Sequence, residues 1–195
     1  MSKTQIEPYR PVYPSPAALI TTISEDDTPN IITLGECFNI SIARPPIVGI
    51  AIRKVTYSYD LICRTPEFAV NLPTTDIIEQ VDGIGCVSGS ECNKFERFDL
   101  TPFPADKIRP PIIKECPVSV ECRVLDEQEV GDHQLFLGHV IAEHVDESCL
   151  AEDGSPDPCK LDMLIYAGGH YFSAGECLAE HGFSKAWIED TDEEQ

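Results

Sequence analysis

Apolar residues in this chain fall in short blocks, and the blocks carry the period of strands more often than that of long helices. Ala17-Ala-Leu-Ile-Thr-Thr-Ile-Ser24 is a β-branched run ended by Glu25-Asp-Asp-Thr-Pro29, which predicts a strand and a hairpin-type turn. Asn30-Ile-Ile-Thr-Leu34 restarts extended chain, and Gly35 marks a bulge or a close backbone approach. Arg44-Pro-Pro46 forces a break before Ile47-Val-Gly-Ile-Ala-Ile52, another apolar strand. Thr56 to Cys63 reads as a short helix or turn. Phe68-Ala-Val-Asn-Leu72 is a strand closed by Pro73, and Asp76 to Val81 a short helix capped near Thr75.

The stretch from Gly83 to Phe98 is polar and reads as irregular. Val118 to Leu125 alternates, with Val118, Val120, Cys122 and Val124 on one face and Ser119, Glu121 and Arg123 on the other. Asp126 to Asp132 is a polar link, and His133 to Val145 a long strand interrupted at Gly138. Asp146 to Pro158 reads as a polar loop. Leu164 to Ala167 and His170 to Ser173 form a last hairpin turned at Gly168-Gly169. Seven or so short strands with a few short helices predict a mainly β fold, a barrel or sandwich, and not alternating βαβ units.

Composition narrows the function. The 195 residues suit one domain with its own core. No apolar run is long enough to span a bilayer, and the first residues lack the apolar segment of a signal peptide, so a cytoplasmic protein is expected. With 14 basic and 34 acidic residues, a net charge of −20 argues against nucleic acid or an anionic membrane as partner. Nine cysteines, at 37, 63, 86, 92, 116, 122, 149, 159 and 177, include no pair with two residues between them, so no zinc or iron–sulfur spacing is present. They read as reduced thiols, several packed as small hydrophobes, with a redox role left open for an exposed one. An odd separation places His139 and His144 on opposite faces of one strand, so no metal site is expected there. No G-x-G-x-x-G follows a strand, which removes a Rossmann dinucleotide site.

Charge is distributed unevenly. Between Cys37 and Tyr59 stand Arg44, Arg53 and Lys54 and no carboxylate, so this window carries +3 while the rest carries −23. Arg53-Lys54-Val55-Thr56-Tyr57-Ser58 combines two cations with three hydroxyls, donors suited to a phosphate. A chance fluctuation on a solvated loop would look the same.

In order along the chain, Pro16-Ala-Ala-Leu-Ile-Thr-Thr, Asn30-x-x-Thr33, Ser41-x-x-x-Pro45-Pro46 and Arg53-x-x-Thr56-Tyr57 resemble the flavin reductase-like family. Glu67-Phe-x-Val-Asn71-Leu-Pro73, Lys94-Phe95 and Glu121-Cys122 continue the resemblance. Ser88-Gly-Ser-x-x-x-Lys94-Phe95 and Gly131-Asp132-His133 bring it nearest to flavoredoxin-like members. The resemblance implies an FMN-binding split barrel of Greek-key type over residues 13–175, between an N-terminal arm (1–12) and an acidic extension (176–195). It also implies a homodimer, FMN as cofactor and NADH or NADPH as reductant.

Residue by residue, it implies FMN contacts from Asn30, Thr33, Glu36, Cys37, Phe38, Asn39 and Ser41. Arg53, Thr56, Tyr57 and Ser58 would take the phosphate, Ser88 would stand in the polar turn, and His133 and Phe172 would lie near the ring. No catalytic acid or base is assigned. Lys94 first and His133 second are the candidates for a donor that tunes the flavin. Where relatives place an aromatic residue near Glu36-Cys37, this chain is small and polar. Structural readings stand beside these: Lys94 as a surface lysine, Asn71 as a turn or cap residue, His133 as hairpin closure, Phe172 as core, Ser88-Gly89-Ser90 as a plain turn. Two functions follow: a reductase moving electrons from NAD(P)H to flavin, or an electron carrier with permanent FMN and a basic protein partner.

Overall fold

The computed structural model describes residues 1–185. In chain order the elements are β1 (Ser15–Pro16), β2 (Ala18–Ile23), β3 (Pro29–Leu34), β4 (Cys37–Ser41), β5 (Ile47–Arg53), α1 (Tyr57–Arg64), β6 (Glu67–Leu72), α2 (Ile78–Cys86) and α3 (Lys94–Arg97). Then come β7 (Pro102–Phe103), β8 (Ile112–Ile113), β9 (Val118–Val130), β10 (His133–Val145), β11 (Leu164–Ala167) and β12 (His170–Ser173). The predicted acidic tail from Glu189 to Glu194 lies outside the described residues.

Seven antiparallel strands form one sheet in the order β3-β2-β6-β9-β10-β5-β4. Its two edges, β3 and β4, are consecutive in the chain and joined only by Gly35 and Glu36. So short a link forces the sheet to roll until its edges nearly meet, yet no ladder joins them. The result is a barrel with an open seam. The β1-β11-β12 sheet lies beside that seam, since Ser15 of β1 sits against Gly35 and pairs with Tyr166.

β2 is buried along its whole length, which explains its unbroken apolar run. Ala18 and Ile20 point into the barrel with Ile50, Ile52, Phe68, Val70, Cys122 and Phe136. Leu19 faces outward onto a second core, built with Ile31, Val81, Ile84, Phe95 and Ile113 under α2 and α3. Asn71 is neither turn nor cap. Buried on β6, it donates to Leu19 O (3.0 Å) and accepts from Ile113 N–H (2.9 Å) and Ser119 Oγ (2.8 Å).

Four expectations change. The expected link at 126–132 is strand: β9 runs to Val130, and the hairpin turns on Gly131 and Asp132, with Gly131 at φ +61°. Beyond Val124 the β9 strand outruns its partner β6 and is nearly all exposed, so its apolar alternation vanishes although the ladder to β10 persists, while β10 opposite stays packed on β5 with Gln134 and Phe136 buried. α2 continues through Gly83 and Gly85 to Cys86, and the sequence's polar stretch ends in α3, capped by Asn93 Oδ1. Thr75 does not cap: its N–H donates to Asp162 (3.2 Å), as does its hydroxyl. A bulge between Val140 and Ala142 shifts the register, so that His139 opposes Arg123 and His144 opposes Ser119; the two histidines therefore share a face. Four ladder positions still separate them by about 13 Å.

Candidate functional site

At the seam lies a cavity of about 390 Å³, at the low end of the size usual for small-molecule sites. Its walls come from the β3 end and the link to β4 (Ile32, Thr33, Leu34, Gly35, Glu36), the β5–α1 corner (Arg53, Thr56), α2 (Asp82, Gly85, Cys86), and His133 at the start of β10. The arm contributes Arg10, and the β11–β12 hairpin Tyr166 and Tyr171.

The β5–α1 corner is built by capping. Thr56 is extended and its hydroxyl accepts from Tyr59 N–H (3.4 Å), while it also donates to Arg53 O (2.9 Å). α1 therefore starts at the cavity edge with the N–H groups of its first turn lacking intrahelical acceptors, an arrangement favourable to anions. Arg53 opposes His133 across β5 and β10, so cation and imidazole share one wall.

This corner is less free of carboxylates in space than in sequence. The β9–β10 hairpin delivers Asp132 Oδ2 to 3.8 Å from Arg53 Nε, and Glu129 Oε2 to 2.5 Å from Lys54 Nζ. Asp132 also pairs with His133 Nδ1 at 2.7 Å, and His133 and then Arg53 hold its carboxyl below the usual range. Antiparallel pairing of β5 with β10 brings the tip there, which the local window could not disclose.

Behind β3, Asn30 is buried and donates to Ser58 Oγ (2.8 Å) and Thr22 Oγ1 (3.1 Å). Its Oδ1 is the one buried side-chain polar atom without a partner among the described residues. A Cβ on Gly89 would stand 1.8 Å from it, so only glycine permits the 88–90 turn to press this close. Ser88 Oγ meets Ser90 Oγ at 2.8 Å on the exposed side of that turn. Thr33 Oγ donates to Val81 O (2.5 Å) and ties β3 to α2.

Of the residues implied by resemblance, Thr33, Glu36, Arg53, Thr56 and His133 line the cavity. Asn30, Tyr57 and Ser58 stand around the Gly89 contact behind it. Cys37 turns into the barrel core, where burial pushes its thiol up to about 12. Phe38 folds over Gly49, while Asn39 and Ser41 continue along the exposed edge strand. Lys94 is buried, and its Nζ donates to Ile84 O near the end of α2 (2.9 Å). Phe172 is exposed on β12, its ring 6.5 Å from that of His170.

The candidates did not include Arg10, Asp82, Gly85, Cys86, Tyr166 or Tyr171 of the wall. For the tyrosines the β11–β12 pairing was available, because Tyr166 and Tyr171 are directly cross-strand. Their rings meet edge to face at 5.5 Å, and Tyr171 Oη donates to Asp82 (3.2 Å). Arg10 pairs with Glu36 (3.4 Å) and stacks 5.8 Å from the Tyr166 ring, closing the cavity's outer side.

Far from the cavity, Asp106, Glu121 and His144 place one potential metal-ligating atom each within 4.8 Å of one another. Glu121 is buried, and both of its oxygens are engaged, by Asp106 N–H (2.7 Å), Lys107 N–H (2.7 Å) and His144 Nε2 (2.6 Å). Burial pushes its carboxyl up, but these donors together outweigh it and hold it below its ordinary value.

A rolled antiparallel sheet, open at a seam with a ligand-sized cavity there, defines a split-barrel protein. The chain belongs to the flavin reductase-like family: the flavin reductase like domain matches residues 9–175. An uncharacterised protein of Archaeoglobus fulgidus is 37% identical over 75% of this chain and 80% of its own. Flavoredoxin of Desulfovibrio vulgaris (Miyazaki F) superposes with a TM-score of 0.87 at 30% identity, over 94% of this chain and all of its own. An FMN-binding protein of Thermus thermophilus, solved with bound 1-cyclohex-2-enone, gives 0.78 at 25% identity over 92% and 99%.

Proposed function

We propose that the seam cavity holds FMN and that the protein is an NAD(P)H-dependent flavin reductase. The observation that carries this reading is the joining, on one wall, of the α1 N-terminus with Thr56, Arg53 and His133. A phosphate ester meets there a guanidinium, a capping hydroxyl and free backbone donors. Asn30, buried behind the wall, donates to Ser58 Oγ and so steadies the first turn of α1. Bound FMN would supply the redox chemistry, taking a hydride at its N5 and releasing electrons onward.

This chain's own residues bind, orient and exclude water. Arg53, Thr56 and the first turn of α1 would hold the phosphate, with Tyr57 and Ser58 beside it. His133, fixed by Asp132, would present a ring nitrogen to the ligand. Tyr166 and Tyr171 wall the cavity from water. Lys94 could reach the ligand only by leaving Ile84 O, so its part in this reading is to hold the end of α2 in place. Phe38 and Ile40 leave apolar surface on the free edge of β4, which supports pairing of two copies.

A carrier reading has its own support, the likeness to flavoredoxin. Anaerobic mixing of the FMN-loaded protein with NADH and with NADPH separates the two. Rapid bleaching of the flavin band near about 450 nm is expected for the reductase. Bleaching only by a reduced protein partner, with neither nucleotide effective, would establish the carrier, and a protein that takes up no FMN would overturn both.

A further inference from the structure

Residues 1–14 are exposed throughout and, among the described residues, form no hydrogen bond and a single ion pair. That pair joins Arg10 to Glu36 at 3.4 Å, and the same guanidinium lies 5.8 Å from the Tyr166 ring. Both partners belong to the body of the fold. Glu36 lies in the link between the sheet's two edges, where its carbonyl accepts from Ala51 N–H (2.9 Å). Tyr166 is held in its own sheet between Ser15 and Tyr171. Under the arm is a second hollow of about 160 Å³, walled by Pro11 to Tyr13 and by Ala167-Gly168. Arg10, Glu36 and Tyr166 line both this hollow and the seam cavity, so their contact is the partition between the two.

We propose that the N-terminal arm is a lid on the seam cavity, hinged at Ser15 and latched by Arg10. Ser15 is the hinge because the chain is first held there, by its ladder to Tyr166 and by its hydroxyl on Tyr166 O (3.4 Å). The latch is built to open. Both members of the ion pair are partly exposed, so water screens them and the pair holds weakly. The cation–π contact, also at the surface, adds only a little more. Tyr9, Val12 and Tyr13 stay largely exposed, so no burial of apolar side chains on the body holds the arm shut. Release of Arg10 joins the two hollows and opens the outer side of the seam cavity to solvent. It also frees a guanidinium at the mouth, where an anionic ligand must pass. The closure itself does not depend on what the cavity holds; entry and exit of FMN through it rest on the cavity being the FMN site.

The test uses the full chain. Stopped-flow quenching of FMN fluorescence gives the association and dissociation rate constants of the wild type and of Arg10→Gln/Glu36→Gln, which removes the ion pair and keeps the net charge. A lid that must open for entry as for exit predicts that both constants rise severalfold, and by a similar factor, in the variant. Faster release with unchanged entry would make the pair a ligand contact and not a latch, and two unchanged constants would leave the cavity without a lid; either overturns the proposal. A second measurement needs no flavin. In the NMR spectrum of the FMN-free chain, the Arg10 Nε–H signal, assigned by its loss in Arg10→Gln, should be displaced by the Tyr166 ring from the position of a solvated arginine. In Glu36→Gln it should move toward that position. A wild-type signal already at the solvated position would overturn the lid whether or not FMN binds. A chain that takes up no FMN would sink the cofactor reading alone, and the Arg10 signal would still decide the lid.

Discussion

Asp132 stands between His133, at 2.7 Å, and Arg53, at 3.8 Å, and so competes with any anion for both side chains. Exposed ion pairs of this kind are screened by solvent and contribute little. Asp132→Asn should therefore tighten riboflavin phosphate binding by no more than about fivefold and leave riboflavin, which lacks the phosphate, unchanged. Titration of both ligands by fluorescence quenching checks this, and equal effects on the two would place the phosphate elsewhere. Lys94 offers a second test. Burial pulls its ammonium from 10.5 down to about 8, against a smaller upward pull from Cys92. Between those values the unfolded chain binds the proton that the native chain has shed, so the contribution of Lys94 to stability rises with pH there, opposed above about pH 9 by buried thiols such as Cys37 whose raised values act with the opposite sign. The gain is at most about 3 kcal/mol, complete above the unfolded value. Lys94→Met in the FMN-free protein should lose this contribution, so that its stability falls relative to the wild type between pH 7 and near pH 10, as measured by urea unfolding of both. At this scale the sequence disclosed the cationic corner but not its carboxylates, because the paired strands that oppose them are distant in the chain.

Strands with a face in the barrel were legible, since β2, β5, β6 and the first half of β9 carry the apolar content their burial requires. The outer half of β9 was not, because its alternating burial stops where its pairing with β6 ends. Gly83 and Gly85 lower helix propensity and so hide the second half of α2 in the sequence, yet packing of Val81 and Ile84 on the second core overrides that cost. Gly83 has a further packing reason, for a Cβ there would lie 2.4 Å from the Phe98 ring. Gly138 shows the same logic in a strand. The interruption expected there is a register shift between Leu137 and Gly138 in the pairing with β9, while β10 itself continues, and a Cβ would come 2.5 Å from Phe68 Cζ and 3.0 Å from Cys122 Cβ. Phe68 is fully buried and has nowhere to retreat. Gly138→Ala should cost about 1–3 kcal/mol by overpacking. A lowered urea midpoint at unchanged slope is the expected result; an unaltered midpoint would mean that the barrel gives way more easily than its packing suggests.

For the whole molecule, a charge of −20 sets which partners approach quickly. Screening acts over about 30 Å at 0.01 M salt but only about 8 Å at physiological strength, so the long-range field is felt mainly in dilute buffer. On the proposed reading, an anionic nicotinamide dinucleotide would have to cross that field before it met Arg10 and Arg53 at the cavity wall. Added salt should therefore raise, or leave level, the rate of flavin reduction by NADH between 0.01 and 0.15 M. A basic redox protein would be drawn in by the same charge, and its electron-transfer rate should fall tenfold or more over that range. Stopped-flow rates against ionic strength thus read the partner's charge directly. Opposite salt slopes for the two reactions would fit a chain that accepts electrons from a dinucleotide through a local cationic gate and hands them on to a cationic protein. Rates with both partners that ignore salt would mean that local contacts at the seam, and not the net field, govern access.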